Sequence, residues 1–236
     1  MARSAFPGFP KETIEFFRGL ARNNRREWFQ PRKEIFDTKV KQPMRDLVHE
    51  INREMARFAP EYVTDPEQAI YRIYRDTRFS KDKTPYKLHI AASFRRQGGT
   101  PHSESGFYVA VSHKCLAVGG GMYVPAPETL KKVRAHLAEH HQEFRKIIRA
   151  KGLIELMGEL HGDQLTRAPK GYLPDHPAAD LVRYKQLLFY VELDPELAIS
   201  KEVLPEVVRR FRAITPFLRF LNSPLRPERK QMFPDF

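Results

Sequence analysis

The chain has 236 residues, 41% of them hydrophobic, which is enough to build a core of its own. Its 41 Lys and Arg outnumber 29 Asp and Glu, and the net charge of +12 favours an acidic partner. A single cysteine, Cys115, excludes an intramolecular disulfide, and no apolar run has the length of a membrane span or the pattern of a signal peptide. These features predict a cytoplasmic protein that does not insert into membranes.

The first 60 residues are predicted to be helical. Apolar residues at helical spacing follow Pro10, which predicts a first helix ending near residue 22. One or two short helices are expected over residues 25–41. Between residues 43 and 58 the apolar positions recur every three or four residues, which predicts a long amphipathic helix. Trp28 is interpreted as a core residue, with base stacking beside neighbouring arginines as the alternative.

Hydrophobicity then alternates with a period of two residues, as in β-strands. The predicted strands cover residues 70–75, 87–94, 106–112, 115–122 and 187–193. The short link at His113 and Lys114 indicates an antiparallel hairpin. Further helices are predicted at 128–149 and near the C-terminus, where Pro216 is expected to kink or interrupt the last one.

This pattern predicts a single α+β domain over residues 1–236. N-terminal helices (10–60) precede a sheet (68–123) and a helical and mixed part (127–222). The mainly antiparallel sheet of about five strands is expected to pack on helices from both ends of the chain. The tail over residues 226–236 is expected to be loosely held.

One face of the predicted sheet carries unusually small side chains. Its residues are Ala91, Ser93, Ala110, Ser112, Ala117 and Gly119. Such a face leaves room for a ligand framed by His89, Tyr108 and the basic loop that precedes them. The alternative is a helix packed closely against the small residues. The run of three glycines at 119–121 lacks the spacing of nucleotide-binding loops, which excludes Rossmann and P-loop interpretations.

Half of the net charge falls within residues 72–96. The basic residues of this segment are Arg72, Arg75, Arg78, Lys81, Lys83, Lys87, Arg95 and Arg96, against Asp76 and Asp82. Arginine offers a planar fork and lysine a point charge, and the two together suit a phosphate group. The alternative is a solvated turn in which the two aspartates pair with neighbouring cations.

Several segments together resemble a known family of bacterial and fungal proteins, catalogued as domain of unknown function 2461. They are FPKETIEFFRGLARNNRREWF near the N-terminus, RDTRFSKDKTPYK at 75–87, GFYVAVS at 106–112, GGGMYVP at 119–125 and HPAADLVRYK at 176–185. The resemblance covers residues 9–221, and it does not indicate which activity the protein has. It adds His176, Tyr184 and Lys185 as candidate members of the site, with a structural role for His176 as the alternative.

The favoured hypothesis is binding of a phosphate-bearing anionic ligand, with nucleotides and nucleic acids as candidates. The anion-binding candidates are Arg75, Arg78, Lys81, Lys83, Lys87, His89, Tyr108, His176 and Lys185. An enzyme acting on phosphate esters or nucleotides is the first alternative, with Lys83 or His89 as the catalytic group. A protein-interaction module with a basic surface is the second. His136 and His140 share a helix face but lack a third ligand, so no metal is predicted, and the sequence specifies no cofactor.

Overall fold

A four-stranded antiparallel sheet forms the centre of the protein in a computed structural model, which describes residues 6–96, 98 and 104–225. The strands are β1 (His89–Phe94), β2 (Gly106–Ser112), β3 (Leu116–Met122) and β4 (Leu187–Leu193), hydrogen-bonded in the order β1-β2-β3-β4. The α+β prediction is confirmed, with four strands where about five were expected.

The expected strand over residues 70–75 instead forms isolated bridges beside β1. Ile70 pairs with Ala92, whereas Tyr74 pairs with Tyr86, which precedes β1. The register therefore shifts by two residues between the two bridges, and this shift prevents a continuous ladder. The segment remains extended and lies along the outer edge of β1, with the Tyr71 N–H donating to the carbonyl of Ala91 at 2.9 Å.

Helices precede and follow the sheet in the chain. They are α1 (Lys11–Arg22), α2 (Arg26–Phe29), α3 (Lys33–Ile35), α4 (Gln42–Met55), α5 (Pro66–Ala69), α6 (Pro127–Glu139), α7 (His141–Ile148), α8 (Lys151–Met157) and α9 (Val203–Asn222). A π-helical turn, Phe36–Lys41, joins α3 to α4, and 3₁₀ turns lie at Gln30–Arg32, Pro60–Tyr62, Pro195–Ile199 and Ser223–Leu225. The helix predicted over residues 128–149 is divided at His140. The expected interruption at Pro216 does not occur: α9 continues through the proline, because buried residues on both sides hold the helix against the sheet.

One face of the sheet, called here the covered face, packs against α9. Phe211 of α9 stacks on Phe107 of β2 with ring centroids 4.5 Å apart, and it meets Phe94 edge-on at 5.6 Å. A Cβ atom at Gly120 would lie 3.0 Å from Ile214 of α9, so this glycine allows the helix to approach closely. The large apolar side chains of all four strands therefore form the core beneath α9.

A buried polar network fastens the end of α9 to the chain just before β2. The Ser105 hydroxyl lies 2.9 Å from Asn222 Oδ1, and the Asn222 side-chain amide donates to the Tyr62 hydroxyl at 2.9 Å. Because each of these buried groups has a partner, the network stabilises the position of α9 instead of leaving polar atoms unsatisfied.

The N-terminal helices surround Trp28. Its ring lies 5.6 Å from that of Phe16, and the Arg32 guanidinium is 4.5 Å from the indole centroid. A Cβ atom at Gly19 would lie 2.7 Å from the indole, so α1 and α2 meet at this point. Trp28 is thus a half-buried packing residue. Among the described residues no helix is both long and apolar enough to cross a membrane, and the tail over 226–236 lies outside the described residues.

Candidate functional site

The second face of the sheet, called here the open face, has the small side chains that the sequence predicts. β1 directs His89, Ala91 and Ser93 to this face, and the register places Tyr108 opposite Ser93. The same row continues through Gly119 of β3 to Tyr190 of β4. Next to this row, Ala91, Ala110 and Ala117 form a small buried cluster, against which Tyr108 and Cys115 pack.

A cavity of about 840 Å³ lies over the open face. Its lining includes Tyr71, Lys87, His89, Ser93, Arg95, Glu104, Tyr108, Gly119, Gly121, Tyr123, His161 and Tyr190. Every residue that lines this cavity lies in a strand, bridge or loop, and none belongs to a described helix. Within the described residues, therefore, no packed helix fills the space above Ser93 and Gly119, which leaves room for a ligand.

The glycines of β3 set the floor of the cavity. A Cβ atom at Gly119 would lie 2.6 Å from the carbonyl oxygen of Phe189 and 3.1 Å from the Tyr190 ring. Gly121 has φ +141°, and a Cβ atom there would lie 2.1 Å from the Leu187 carbonyl oxygen. Both glycines are needed for close approach of β4, and both belong to the sheet's ladder, so their role is in strand packing.

Ser93 carries an unpartnered hydroxyl into the floor of this cavity. The residue is only 8% exposed, and its Oγ has no hydrogen-bond partner among the described residues. A buried hydroxyl without a partner costs roughly 1–3 kcal/mol, so such groups are uncommon in folded proteins. An unsatisfied donor facing a cavity therefore indicates a place where a ligand atom would complete the bonding.

Lys87 and His89 lie at one end of the cavity. Lys87 Nζ donates to the Arg72 carbonyl at 3.0 Å and lies 5.2 Å from the Tyr71 ring centroid. Burial lowers the pKa of Lys87, and the positive charge of Arg72 lowers it further. Burial also lowers the pKa of His89, with a smaller contribution from Lys87. The His89 imidazole is therefore neutral at pH 7, beside a lysine that retains donors for a ligand.

Arg95 and Glu104 lie toward the other end, about 20 Å from His89 because six residues of extended chain separate Arg95 from it. The Arg95 side chain is half-buried and has no hydrogen bond or ion pair within the described part of the chain. Glu104 Oε1 lies 3.3 Å from Arg96 Nη1, whereas its Oε2 is buried without a partner among the described residues. Burial raises the pKa of Glu104, and Arg96 opposes that shift.

Four tyrosines supply aromatic surface between these two ends: Tyr71, Tyr108, Tyr123 and Tyr190. Burial raises the pKa of Tyr108 to about 12, and neighbouring Tyr71 adds to the effect. Burial also raises the pKa of Tyr190, whose hydroxyl donates to Glu192 Oε1 at 3.1 Å. Tyr108 and Tyr190 therefore stay neutral at ordinary pH, and the four rings form apolar walls of the cavity that end in hydroxyl groups.

A family model described as conserved hypothetical protein (DUF2461) matches residues 12–220 of the 236-residue chain. The chain belongs to the DUF2461 family. This assignment confirms the resemblance carried by the sequence motifs, and the matched segment includes every residue that lines the cavity. No curated protein matches the chain.

In this DUF2461 protein the basic loop lies outside the cavity. Arg75 pairs with Asp82 and with the Thr84 hydroxyl, and Arg78 holds Asp76 through two bonds of 3.0 and 2.8 Å. Lys83 Nζ donates to the Thr77 carbonyl at 2.9 Å. Both aspartates are thus paired with neighbouring arginines, as the solvated-turn alternative expects. Arg75, Arg78, Lys81 and Lys83 do not line the cavity.

The C-terminal candidates of the DUF2461 chain also lie apart from the cavity. The Ala178 N–H donates to His176 Nδ1 at 3.0 Å, which fixes the His176 ring within its own turn. Lys185 is exposed, and its backbone N–H donates to the Asp163 carbonyl at 2.7 Å. Of the nine predicted residues, the structure therefore brings together Lys87, His89 and Tyr108 at the cavity.

The nine sequence candidates did not include Ser93, Arg95, Glu104, Tyr71 or Tyr190, although Ser93 belonged to the predicted small-residue face and Arg95 to the basic segment. Alternation within β1 and β4 places Ser93 and Tyr190 on the open face, so that pattern was a usable signal for two of them. No local pattern brings Arg95 and Glu104 to the same end of a cavity. Within the described residues no group of three or more His, Cys, Asp or Glu side chains could hold a metal ion.

Proposed function

We propose that this DUF2461 protein binds a phosphate-bearing small molecule in the cavity over the open face. The observation that carries the proposal is the Ser93 hydroxyl, which is buried in the cavity floor without a hydrogen-bond partner among the described residues. A phosphate oxygen is an acceptor that would satisfy this donor. Binding would therefore recover the free energy that the unpaired hydroxyl costs in the empty protein.

Arg95 is the cation best placed to share that phosphate. It follows Ser93 by two residues, about 7 Å along an extended chain, which the long arginine side chain can span. Its guanidinium has no partner within the described residues, so it can offer two parallel N–H groups to phosphate oxygens. Lys87 and His89, at the other end, would meet a second anionic or polar group of a longer ligand.

Glu104 and the tyrosines narrow the class of ligand. The charge of Glu104 is offset by Arg96, and its unpartnered Oε2 can accept a hydrogen bond from a ligand hydroxyl or amine. The tyrosine walls offer flat apolar surface to a ring. A ligand with a phosphate, hydroxyl groups and a ring fits this combination, and nucleotides have all three.

The test is calorimetric titration of the protein with AMP and with inorganic phosphate. Ser93→Ala and Arg95→Ala each remove a bond to a charged group, so we expect about 10- to 100-fold weaker AMP binding. Lys185→Ala is the matched control, because it removes an exposed cation away from the cavity and should leave the affinity unchanged. Equal loss in all three variants, or no binding of either probe to the native protein, would contradict the proposal.

The second candidate function is hydrolysis of phosphate esters whose phosphate lies at the Lys87 and His89 end of the same cavity, instead of at Ser93 and Arg95. It is favoured by His89, whose lowered pKa leaves a neutral imidazole able to accept a proton at pH 7. Lys83, the other sequence candidate, lies outside the cavity. If the protein hydrolyses p-nitrophenyl phosphate, His89→Gln should abolish turnover while AMP affinity stays largely intact. If His89→Gln only weakens AMP binding and does not abolish turnover, the catalytic alternative is wrong.

A further inference from the structure

Three exposed aromatic residues lie in the chain segment that follows the outer edge of the sheet, beyond β1. Phe79 is 96% exposed, Tyr74 48% and Tyr71 39%, and all three lie in the segment that runs beside β1 and into the following turn. This set, Tyr71, Tyr74 and Phe79, is called here the aromatic edge. Large aromatic side chains are normally at least partly buried, so a nearly fully exposed phenyl ring next to two half-exposed phenols indicates a contact surface.

Short-range hydrogen bonds hold the turn that presents Phe79. Asp76 Oδ1 accepts from the Arg78 N–H at 3.2 Å, and Asp82 Oδ1 accepts from the Thr84 N–H at 2.9 Å. Lys83 Nζ bridges the turn to the Thr77 carbonyl at 2.9 Å. The turn is therefore ordered by its own side chains, and Phe79 projects from it with the Arg78 guanidinium 5.8 Å from its ring.

Positive charge surrounds the aromatic edge. Residues 72–87 contain six cations and two aspartates, a surplus of four positive charges. A cleft of about 310 Å³ opens beside it, lined by Tyr71, Tyr74, Arg72, Lys33 and Lys41 among others. Two acids also line this cleft, but Asp37 pairs with Lys33 at 2.5 Å and Glu67 pairs with Arg45. The uncompensated charge along the edge is thus positive.

We infer that the aromatic edge binds single-stranded nucleic acid. Alternating rings and cations match the two interactions that hold single strands, which are stacking of bases on aromatic rings and attraction of the phosphate backbone. Duplex nucleic acid fits less well, because its bases are already stacked on one another. Membrane attachment scales with buried apolar area, and one phenyl ring supplies little of it.

This site is separate from the cavity, although Tyr71 lies between them. The floor and far end of the cavity, at Ser93 and Arg95, do not line the cleft beside the aromatic edge. Ser93→Ala should therefore weaken AMP binding and leave oligonucleotide affinity unchanged. Phe79→Leu should do the reverse, so failure of one proposal can be distinguished from failure of the other.

The test is fluorescence anisotropy with a labelled oligothymidylate of about 16 nucleotides, a length within the usual range of single-strand sites. Loss of one stacking ring in Phe79→Leu should weaken binding by about 5- to 100-fold, whereas Phe79→Tyr, which keeps a stacking ring, should retain the native affinity. Both variants alter a side chain that is almost fully exposed, so neither is expected to disturb folding. Equal affinities for the Leu and Tyr variants would overturn the proposal.

A charge-matched pair tests the electrostatic part. Lys81 is exposed and has no ion pair or hydrogen bond among the described residues, whereas Lys151 lies on α8, which packs against β4 at the opposite edge of the sheet. Lys81→Glu should weaken binding of the oligonucleotide. It should also make the fall of log affinity with log salt less steep by roughly 0.7, the value for one phosphate contact on a single strand. Lys151→Glu changes the net charge equally and should leave the slope unchanged. Equal effects of the two substitutions would mean that the net charge of the protein attracts the oligonucleotide without a specific site, and they would overturn the inference.

Three other partners are distinguished in the same experiments. Vesicles containing phosphatidylserine should not compete with the oligonucleotide for the protein. If the vesicles bind the protein and Phe79→Leu still binds the oligonucleotide with native affinity, the surface is a membrane contact and the inference is overturned. A duplex of the same length should bind more weakly than the single strand. Preference for the duplex, or capture of an acidic protein that persists after nuclease treatment while the oligonucleotide does not bind, would also overturn the inference.

Discussion

The two faces of the sheet are built from the same four strands and differ in what their side chains do. On the covered face, Phe94, Phe107 and Phe189 are buried against α9 and its neighbours. On the open face, Ser93 and Gly119 leave a cavity of about 840 Å³. The side chains of the covered face are buried in the core. On the open face, the Ser93 hydroxyl has no hydrogen-bond partner among the described residues.

This difference separates stability from binding along each strand. Because neighbouring residues of a strand point to opposite faces, a substitution at one position should change the free energy of unfolding, and the next should change ligand affinity. The three predictions below test this separation.

The largest expected effect is on the covered face. Phe211→Ala removes a fully buried ring that stacks on Phe107, so the free energy of unfolding should fall by about 3–5 kcal/mol, measured by urea denaturation. On the open face, Tyr190→Ala removes a ring that is 38% exposed and should cost much less. Equal losses would show that the open face also stabilises the fold, and the separation would fail.

The next effect compares two buried serines. Ser105→Ala removes the hydroxyl that bonds to Asn222 Oδ1, which then keeps only the backbone N–H of residue 105, so we expect a loss of about 0.5–1.5 kcal/mol in thermal or urea unfolding. Ser93→Ala removes a hydroxyl that has no partner among the described residues, so its free energy of unfolding should be unchanged or slightly higher. A large loss at Ser93 would mean that its hydroxyl is satisfied within the protein, which would remove the main support for the ligand site.

The smallest effect is a dependence of anion affinity on pH. Burial lowers the pKa of His89 below its ordinary value of 6.5, so the imidazole gains its charge only as the pH falls through the acid range below 6.5, and sulfate binding should strengthen a few-fold there relative to about pH 7.5. Sulfate is the suitable probe because its own charge stays constant over this range. By linkage, bound sulfate should raise the pKa of His89.

Glu104 also faces the cavity, and burial raises its pKa. Protonation of this carboxylate in acid removes a negative charge, so it would also strengthen sulfate binding. The cations Lys87 and Arg95 and the imidazole of His161 also line the cavity. Calorimetry on His89→Gln and on Glu104→Gln separates these contributions. If the pH dependence persists in His89→Gln and disappears in Glu104→Gln, the carboxyl group is responsible and the role assigned to His89 is wrong.

The sequence predicted the sheet well because alternation is a local property. The period of two residues over 106–112 and 187–193 located β2 and β4 at their observed bounds, and the same parity predicted the small side chains of the open face. Over residues 70–75 alternation alone overpredicted a strand. A ladder also needs a constant register with a neighbour, and the shift between Ile70 and Tyr74 is not visible in one segment alone.

The candidate site was less accessible to sequence reasoning. Charge density directed attention to Arg75 and Arg78, but their aspartate partners lie only a few residues away and take up both guanidinium groups. What distinguishes Ser93 is that no element of the described part of the chain packs above it, which depends on where distant loops and helices fold. Local composition therefore indicated the segment of the chain that contributes to the site, whereas the tertiary structure determines which residues lie together in the cavity.

The position of Trp28 has a practical consequence for optical experiments. The chain has one tryptophan, and its ring reports on the contact between α1 and α2, whereas four tyrosines line the cavity. Tryptophan emission should therefore follow melting of the helical side of the molecule and stay nearly constant as the cavity fills. Near-ultraviolet circular dichroism of tyrosine should change as the cavity fills, because four of the nine tyrosines line it. The protein thus contains separate intrinsic spectroscopic reporters for unfolding and for occupancy, without any added label.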